Sequence, residues 1–281
     1  MKSILILADI FNYRNSYLID ALAFRWKKNG YKVLKRYSTK NLPDADIAIL
    51  HIDATIVPGK YAQCLSKYPV VLNRNVLNIS KTVFSCNIVK PTDDYSGPVI
   101  IKTNANCGAK PEASKMKYIW SKLTLHWNWE KVSTLNPKEY PVFDKKEDIP
   151  AGVWKNRNLV VEKFLPEKSN GLFFLRYWIF LGNKGWVGRF GAIDPIVKFS
   201  NKITKNEILH VNTEEEYETV HVPEELKIWR KKLGFDYGRF DYVEHSGKII
   251  LFDVNKTLGG ASRIDTYSAQ LDFLASGISD F

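Results

Sequence analysis

The feature that most constrains this 281-residue sequence is the alternation of short apolar runs with helix-length segments over its first ninety residues. Each apolar run is too short for a buried helix and has the length of a buried strand. Strands that are joined through single helices form right-handed crossovers, and such crossovers build a parallel sheet. We therefore predict an α/β unit with strands at 3–8, 31–37, 46–51 and 70–72.

Two helices are expected within this unit. Asn15 or Ser16 can cap the first helix, which runs through Lys28 and ends before Gly30. A second, shorter helix is expected over residues 59–66. A short segment then leads out of the unit, and a domain edge is expected near residue 90.

The remaining two thirds of the chain favour a mixed arrangement of strands and helices. A strand over 98–102 ends in Lys102 and is followed by a loop of small polar residues. Glycine-containing turns separate alternating runs later in the chain, which is typical of β-hairpins. The further elements that we predict are a helix over 113–131, a strand over 159–166, a hairpin of 172–181 with 186–192, a helix over 223–233 that ends at Gly234, and a hairpin of 235–244 with 248–255.

The second hairpin carries the most informative polar residues. Asp253 and Asn255 are two apart on one strand and therefore project from one face, and Asp241 on the partner strand can lie opposite them. Oxygen ligands of this kind suit a hard cation such as Mg²⁺. A solvated sheet face explains the same alternation, so spacing alone leaves both interpretations open. The residues expected on the apolar face are Phe240, Tyr242, Phe252 and Val254.

Two further segments have the chemistry of a phosphate or purine site, although each is weak by itself. Lys102 precedes a loop whose N–H groups could contact phosphate, but a strand-end lysine in water has the same pattern. The strand that contains Glu162 could offer backbone groups to a purine, as any edge strand could. The sequence contains no G-x-x-x-x-G-K-[ST], G-x-G-x-x-G or G-x-S-x-G motif.

Composition excludes several classes of protein. Apolar residues make up 45% and charged residues 25% of the chain, which is ordinary for a globular protein. The apolar runs are far shorter than the ~20 residues of a membrane span. The first run stops at Asp9, too early for a signal peptide, and three scattered cysteines indicate neither a disulfide framework nor a zinc site. We expect a cytoplasmic protein.

The net charge of +11, from 41 Lys and Arg against 30 Asp and Glu, should attract anions. The sequence has no dense basic run and no RRM, KH or helix-turn-helix signature, so nucleic acid is not an expected partner. Solvated surface lysines explain the excess charge equally well.

In their order along the chain, these segments resemble the ATP-grasp family. The matching motifs are Val99-Ile100-Ile101-Lys102, Val160-Val161-Glu162-Lys163-Phe164-Leu165-Pro166, Arg239-Phe240-Asp241, and Asp253-Val254-Asn255 followed by Gly259-Gly260. The resemblance implies a parallel α/β pre-ATP-grasp domain at 1–90 and an ATP-grasp domain at 91–281, with α+β subdomains at about 91–161 and 162–281. Within that family, the sequence most resembles short ATP-grasp proteins associated with bacterial surface-polysaccharide genes.

The resemblance also implies roles for individual residues. Lys81 and Lys102 would contact the phosphates of ATP, and Asp241, Asp253 and Asn255 would hold Mg²⁺. Arg176 would stabilise the acyl phosphate, with Arg189 as a second candidate. The residues expected near the adenosine are Lys163 and Leu165, through backbone groups, and Glu162 or Glu167.

The implied activity is ATP-dependent ligation of a small-molecule, peptide or glycan carboxylate to an amine or another nucleophile. A kinase that stops at the phosphorylated product and a nucleotide-binding protein without turnover remain alternatives, because a fold does not settle its function. We also expect the acids of the hairpin to repel one another in the ligand-free protein, so that Asp253→Ala would preserve or slightly raise its stability.

Overall fold

The computed structural model describes residues 1–9, 17–109, 112, 128–198, 200, 203–209, 222–259 and 268–281. Within these residues the chain forms thirteen strands in three sheets, together with six α-helices. The α/β class predicted from the sequence is confirmed.

The N-terminal sheet has four parallel strands in the order β2-β1-β3-β4, as the alternating pattern predicted. Its strands are β1 (Ser3–Ala8), β2 (Lys32–Arg36), β3 (Ile47–His51) and β4 (Val70–Leu72), and its helices are α1 (Leu18–Lys28) and α2 (Gly59–Cys64). The predicted caps Asn15 and Ser16 lie outside the described residues. Helix α1 begins at Leu18, and the N–H of Tyr17 donates to the Asp20 carboxylate at 3.3 Å.

A small antiparallel sheet follows, in the order β6-β5-β7. Its strands are β5 (Val99–Thr103), β6 (Val142–Phe143) and β7 (Leu159–Lys163), and the nearby helices are α3 (Lys81–Phe84) and α4 (Ala151–Lys155). Val99, Ile101 and Val161 bury their side chains in a core that belongs to this unit. Most of the helix predicted over 113–131 lies outside the described residues, and Trp129–Lys131 at its end forms a 3₁₀ turn.

The large sheet has six strands. Its path is β11-β10-β9-β12-β13, and β8 pairs with the start of β9. The strands are β8 (Glu167–Ser169), β9 (Leu172–Leu181), β10 (Lys184–Ala192), β11 (Ile203–Ile208), β12 (Tyr237–His245) and β13 (Lys248–Asn255). Both predicted hairpins are present, whereas β8 and β11 were not predicted. Helix α5 (Glu224–Leu233) ends at Gly234 as expected, and α6 (Ser268–Ser276) lies near the C-terminus.

One apolar core joins the parallel sheet to the large sheet. Ile4 and Ile49 of the parallel sheet, Trp26 of α1, Ile179 of β9 and Leu274 of α6 belong to the same buried cluster. The indole N–H of Trp26 donates to the carbonyl of Ala275 at 2.8 Å, which fixes α1 against α6. In the described part of the chain, no helix is both long enough and apolar enough to span a bilayer.

Candidate functional site

The two strands of the β12–β13 hairpin place polar side chains opposite one another. Asp241 pairs with Asp253, and Arg239 pairs with Asn255. Residues that pair directly in an antiparallel sheet project from the same face, so these four side chains share one face of the large sheet. Asp241 is fully buried and Asp253 is 8% exposed. The predicted juxtaposition of the acids is therefore confirmed, and a solvated sheet face does not describe it.

A β-bulge at Phe252 alters the faces of this hairpin. After the Asp241–Asp253 pair, Tyr242 pairs with Leu251, so Phe252 is an extra residue on β13. The prediction that Phe252 lies on the apolar face opposite the acids is wrong, because Phe252 packs beside Val243 on the acidic face. The other residues predicted for the apolar face, Phe240, Tyr242 and Val254, are buried together there.

Three positively charged side chains surround the two acids. The Lys198 ammonium lies 2.6 Å from Asp241 Oδ2 and 2.5 Å from Asp253 Oδ2. Arg239 Nε donates to Asp241 Oδ1 at 2.5 Å, and Lys81 Nζ lies 3.5 Å from Asp253 Oδ1. Each of the four carboxylate oxygens therefore has a cationic partner, and Lys198 bridges the two acids.

These contacts decide how the groups ionise. Burial by itself raises the pKa of Asp253, but the charges of Lys198 and Lys81 outweigh burial and hold this pKa well below its usual range. Burial lowers the pKa of Lys198, but Asp241 and Asp253 outweigh it, so the pKa rises. Burial also lowers the pKa of Lys81, but the charge of Asp253 outweighs it, so this pKa rises as well. Asp253 is therefore a carboxylate, and both lysines are ammonium ions, at neutral pH.

Lys81 is positioned by the segment that follows β5, and Lys102 by Glu162 of β7. The backbone N–H of Lys81, the first residue of α3, donates to the carbonyl of Asn104 at 2.9 Å. Lys102 Nζ lies 2.7 Å from Glu162 Oε2 on β7, and the Ser85 hydroxyl donates to Glu162 Oε1. The Lys102 side chain is only 12% exposed, so it is not a solvated lysine at a strand end.

A cavity separates the small sheet from the large sheet. Lys81, Lys102 and Lys163 line its side nearest the small sheet, and Asp241 and Asp253 line the opposite side. The apolar part of its wall includes Ile100, Phe164, Phe174, Val243 and Phe252. A cavity with an apolar wall beside a group of cations suits a ligand that has a flat apolar group and an anionic tail.

Comparison with known proteins assigns the fold. D-cycloserine synthetase DcsG is 9% identical to this chain, with a TM-score of 0.55 over 99% of this chain and 100% of that one. Macrocyclase MdnC from Microcystis aeruginosa, bound with precursor peptide MdnA, is 10% identical, with a TM-score of 0.51 over the same shares. The RimK domain protein ATP-grasp from Sphaerobacter thermophilus is 12% identical, with a TM-score of 0.49 over 99% of both chains. This chain has the ATP-grasp fold.

The likeness extends over nearly the whole chain, so the ATP-grasp fold expected from the sequence motifs is confirmed. No protein-family model matches the sequence, and no curated protein matches it significantly. Because the identities are so low, the comparison establishes only the fold. The reaction that the chain catalyses must be argued from its side chains.

The two arginines predicted for the site lie on the opposite face of the large sheet in this ATP-grasp fold. Asp241 pairs with Tyr177, whereas Arg176 pairs with Tyr242 and with Arg189. Because neighbouring residues on a strand point to opposite faces, Arg176 and Arg189 project away from Asp241. The expectation that they join the acids is corrected by this register.

Each of these arginines has an acidic partner. The guanidinium of Arg176 donates to both carboxylate oxygens of Glu167, through Nε at 2.9 Å and Nη2 at 2.8 Å. Arg189 Nε donates to Glu207 at 2.5 Å. Glu167 also accepts the backbone N–H of Glu244 at 2.9 Å. Glu167 thus holds β8, β9 and β12 together, and its carboxylate is engaged away from the cavity.

The remaining predicted residues lie in the segment from Glu162 to Pro166, which leads from the small sheet to the large sheet and is called the hinge below. Glu162 is 1% exposed and contacts Lys102 and Ser85. The backbone N–H of Lys163 already donates to the carbonyl of Asn87 at 2.8 Å. Lys163, Phe164 and Pro166 form the wall of the cavity on either side of Leu165.

The sequence motifs did not identify two residues that complete the site. Arg239 formed part of the R-x-D motif but received no role, although a separation of two places it on the same face as Asp241. Lys198 lies between β10 and β11, where no strand periodicity indicates its direction. Only the three-dimensional fold places its ammonium between the acids.

The residues present fit a magnesium ion that has few protein ligands. Asp241 and Asp253 supply carboxylates, and Asn255 supplies an amide whose Oδ1 accepts a hydrogen bond from Asn106 Nδ2 at 3.0 Å. Among the described residues, no group of three or more His, Cys, Asp or Glu side chains is arranged to hold a metal. Mg²⁺ typically binds one or two carboxylates together with water and substrate phosphates, so Asp241 and Asp253 are as many carboxylates as such a site requires.

Proposed function

We propose that this chain is an ATP-dependent ligase that joins a carboxylate to an amine or a related nucleophile. The observation that carries the proposal is the convergence of Lys81, Lys102, Asp241 and Asp253 on one cavity that also has an apolar wall. In the proposed reaction, a carboxylate oxygen of the acid substrate attacks the γ-phosphorus of ATP and ADP leaves. The amine nitrogen then attacks the acyl carbon, the bond from that carbon to the phosphate oxygen breaks, and the phosphate leaves with the proton that the nitrogen loses.

Each charged group has a defined part in this reaction. Lys81 and Lys102 offset the negative charge of the ATP phosphates. Asp241, Asp253 and Asn255 would hold Mg²⁺, which would supply positive charge beside the transferring phosphoryl group. We assign to Arg239 the stabilising role that the sequence motifs had given to Arg176, because Arg239 shares the face of Asp241 and Arg176 does not.

The purine is proposed to lie at the hinge. Phe164 and Ile100 offer apolar contacts at the cavity wall. Because the N–H of Lys163 already donates to Asn87, the hydrogen-bonding groups that we propose for the purine are the carbonyl of Lys163 and the backbone of Leu165. Glu162 contacts Lys102 at 2.7 Å, so we assign it to positioning that lysine rather than to binding the purine.

The names of two structural relatives support a bond-forming reaction. One is a D-cycloserine synthetase, and the other is a macrocyclase bound with a precursor peptide. The net charge of +11 supports an anionic acid substrate, such as a uronic-acid glycan or a nucleotide sugar. We further propose that the protein acts in surface-polysaccharide synthesis and is located in a reducing cytoplasm. The three cysteines form no disulfide in the described part of the chain.

The test is a screen for ADP formation from ATP and Mg²⁺ with candidate acids, in the presence and absence of amines. Release of ADP that requires both an acid and an amine supports the ligase. Release with one substrate alone indicates a kinase, and binding of ATP without any ADP indicates a nucleotide-binding protein. Either of the last two results rejects the ligase.

A matched pair of variants assigns any activity to this cavity. Lys102→Met should abolish ADP formation, because it removes a cation next to the phosphates. Lys205→Met should leave ADP formation unchanged, because Lys205 lies on β11 and pairs with Glu207. Equal activity in both variants would place the reaction elsewhere.

A further inference from the structure

The position of Lys198 raises the question of how a cation reaches the acids. Its ammonium contacts Oδ2 of both Asp241 and Asp253, at 2.6 and 2.5 Å. An ion shared by the two acids needs oxygen atoms from both, and Lys198 already occupies the place between them. A shared metal ion can therefore bind only after the Lys198 ammonium withdraws.

The charges around the acids also argue against the binding of a free metal ion. Arg239, Lys81 and Lys198 bring three positive charges to the two negative charges of Asp241 and Asp253. The protein has thus already compensated these acids, and a free divalent cation meets no net negative charge there. A nucleotide adds several negative charges beside the same cluster and reverses that balance.

Lys198 is also the member of the cluster that can move most easily. It lies beyond the end of β10, outside the sheet, and its side chain is 30% exposed. Arg239 is part of β12, and Lys81 is the first residue of α3 with a side chain that is 5% exposed. The backbones of Arg239 and Lys81 are held by a strand and a helix, whereas the backbone of Lys198 lies outside both, so both its backbone and its side chain can shift without breaking a strand pair.

We propose that Lys198 is a tethered counter-ion that keeps free Mg²⁺ out of the site until nucleotide binds. This inference rests on the proposed function, because it takes Asp241 and Asp253 as the metal ligands. It makes the binding of Mg²⁺ and the binding of ATP mutually dependent. Removing the Lys198 charge should uncouple them and create a site that binds Mg²⁺ alone.

The experiment titrates MgCl₂ into the nucleotide-free full chain and follows binding by calorimetry and thermal unfolding. The wild-type protein should show no saturable binding at low millimolar Mg²⁺. Lys198→Met should bind Mg²⁺ at least tenfold more tightly, and its melting temperature without Mg²⁺ should fall, because the acids lose their bridge. Lys198→Arg should resemble the wild type, and Lys205→Met serves as the control for loss of a surface charge.

Two outcomes would overturn the proposal. One is a folded Lys198→Met protein that binds free Mg²⁺ no more tightly than the wild type. The other is saturable binding of free Mg²⁺ to the wild type with the same affinity in the presence of ATP. Lys198→Gln provides a second neutral variant if Lys198→Met does not fold.

The proposed function can fail separately. A wild-type protein that forms ADP in the substrate screen, paired with a Lys198→Met variant that gains no Mg²⁺ binding, would reject the counter-ion and leave the ligase intact. A Lys198→Met variant that gains Mg²⁺ binding, paired with a wild type that forms no ADP, would retain the counter-ion and reject the ligase.

Discussion

At the scale of single residues, the acids of the site depend on the cations beside them. Asp253 lies within 3.5 Å of Lys81 and within 2.5 Å of Lys198. The sequence led us to expect repulsion between Asp253 and Asp241, and hence a stable Asp253→Ala protein. The contacts reverse that expectation, because removing Asp253 would leave the buried Lys81 ammonium without its nearest counter-charge.

We therefore expect Asp253→Asn to lower the free energy of unfolding at neutral pH. The loss should be about 3 kcal/mol, at the lower end of the range for breaking a buried ion pair, since Lys198 is partly exposed. Urea denaturation measures this difference. Asp148→Asn is the control, because Asp148 is exposed and its carboxylate lies 4.0 Å from Lys145. Equal losses in the two variants would contradict the charge argument.

The stability that Asp253 contributes should also depend on pH. The pKa of Asp253 in the folded protein lies below the usual 3.8 of an aspartate, because Lys198 and Lys81 outweigh its burial. A depressed pKa adds stability that is fully present above the unfolded pKa and is lost as pH falls through the folded pKa. The gap in unfolding free energy between wild type and Asp253→Asn should stay constant from pH 5 to pH 7 and shrink below about pH 4. A gap that widens towards low pH would refute this assignment.

At the scale of elements, local patterns predicted more than long-range register did. The tight turn predicts the hairpin and its pairs as far as Tyr242 with Leu251. The same register continued would pair Asp241 with Phe252, so the bulge at Phe252 is what brings Asp253 opposite Asp241. The bulge at Phe252 leaves no sequence signal, and it turns one aromatic side chain towards Lys102, whose ammonium lies 4.8 Å from the ring centroid. The face of Arg176 depends on how β9 aligns with β12, and Arg176 pairs there with Tyr242, 66 residues later in the chain. Periodicity within one strand cannot determine such a pairing.

The end of α5 offers a prediction at this scale. Gly234 has a φ of +70°, and a Cβ atom placed there would lie 3.1 Å from the Cβ of Asn75. Gly234→Ala should therefore lower the free energy of unfolding by about 1 kcal/mol or more, through strain in the left-handed conformation and crowding of Asn75. Gly59→Ala is the control, because a Cβ there meets no atom within 4 Å and φ is not positive. Chemical denaturation of both variants tests this, and an unchanged Gly234→Ala protein would contradict it.

At the scale of the whole molecule, the parallel sheet and the large sheet behave as one packed body. They share the cluster that contains Ile4 and Ile179, and hydrogen bonds join Asn73 after β4 to Asp236 and Tyr237 at the start of β12. The small sheet has its own core and faces the large sheet across the cavity. A ligand in this cavity contacts two units with separate cores and can therefore stabilise the whole chain.

The last prediction follows from that arrangement. ATP with Mg²⁺ at 100 times its dissociation constant should add about 2.7 kcal/mol to the free energy of unfolding. For a chain of this size, that gain corresponds to a rise of about 5 °C in melting temperature. The rise should disappear in Lys102→Met, which removes a cation from the cavity, and persist in Lys205→Met. Mg²⁺ without ATP should leave the wild-type melting temperature unchanged, since Lys198 already bridges the acids. Differential scanning calorimetry of the three proteins distinguishes these cases, and the absence of a shift in the wild type at millimolar ATP would remove the nucleotide from this cavity.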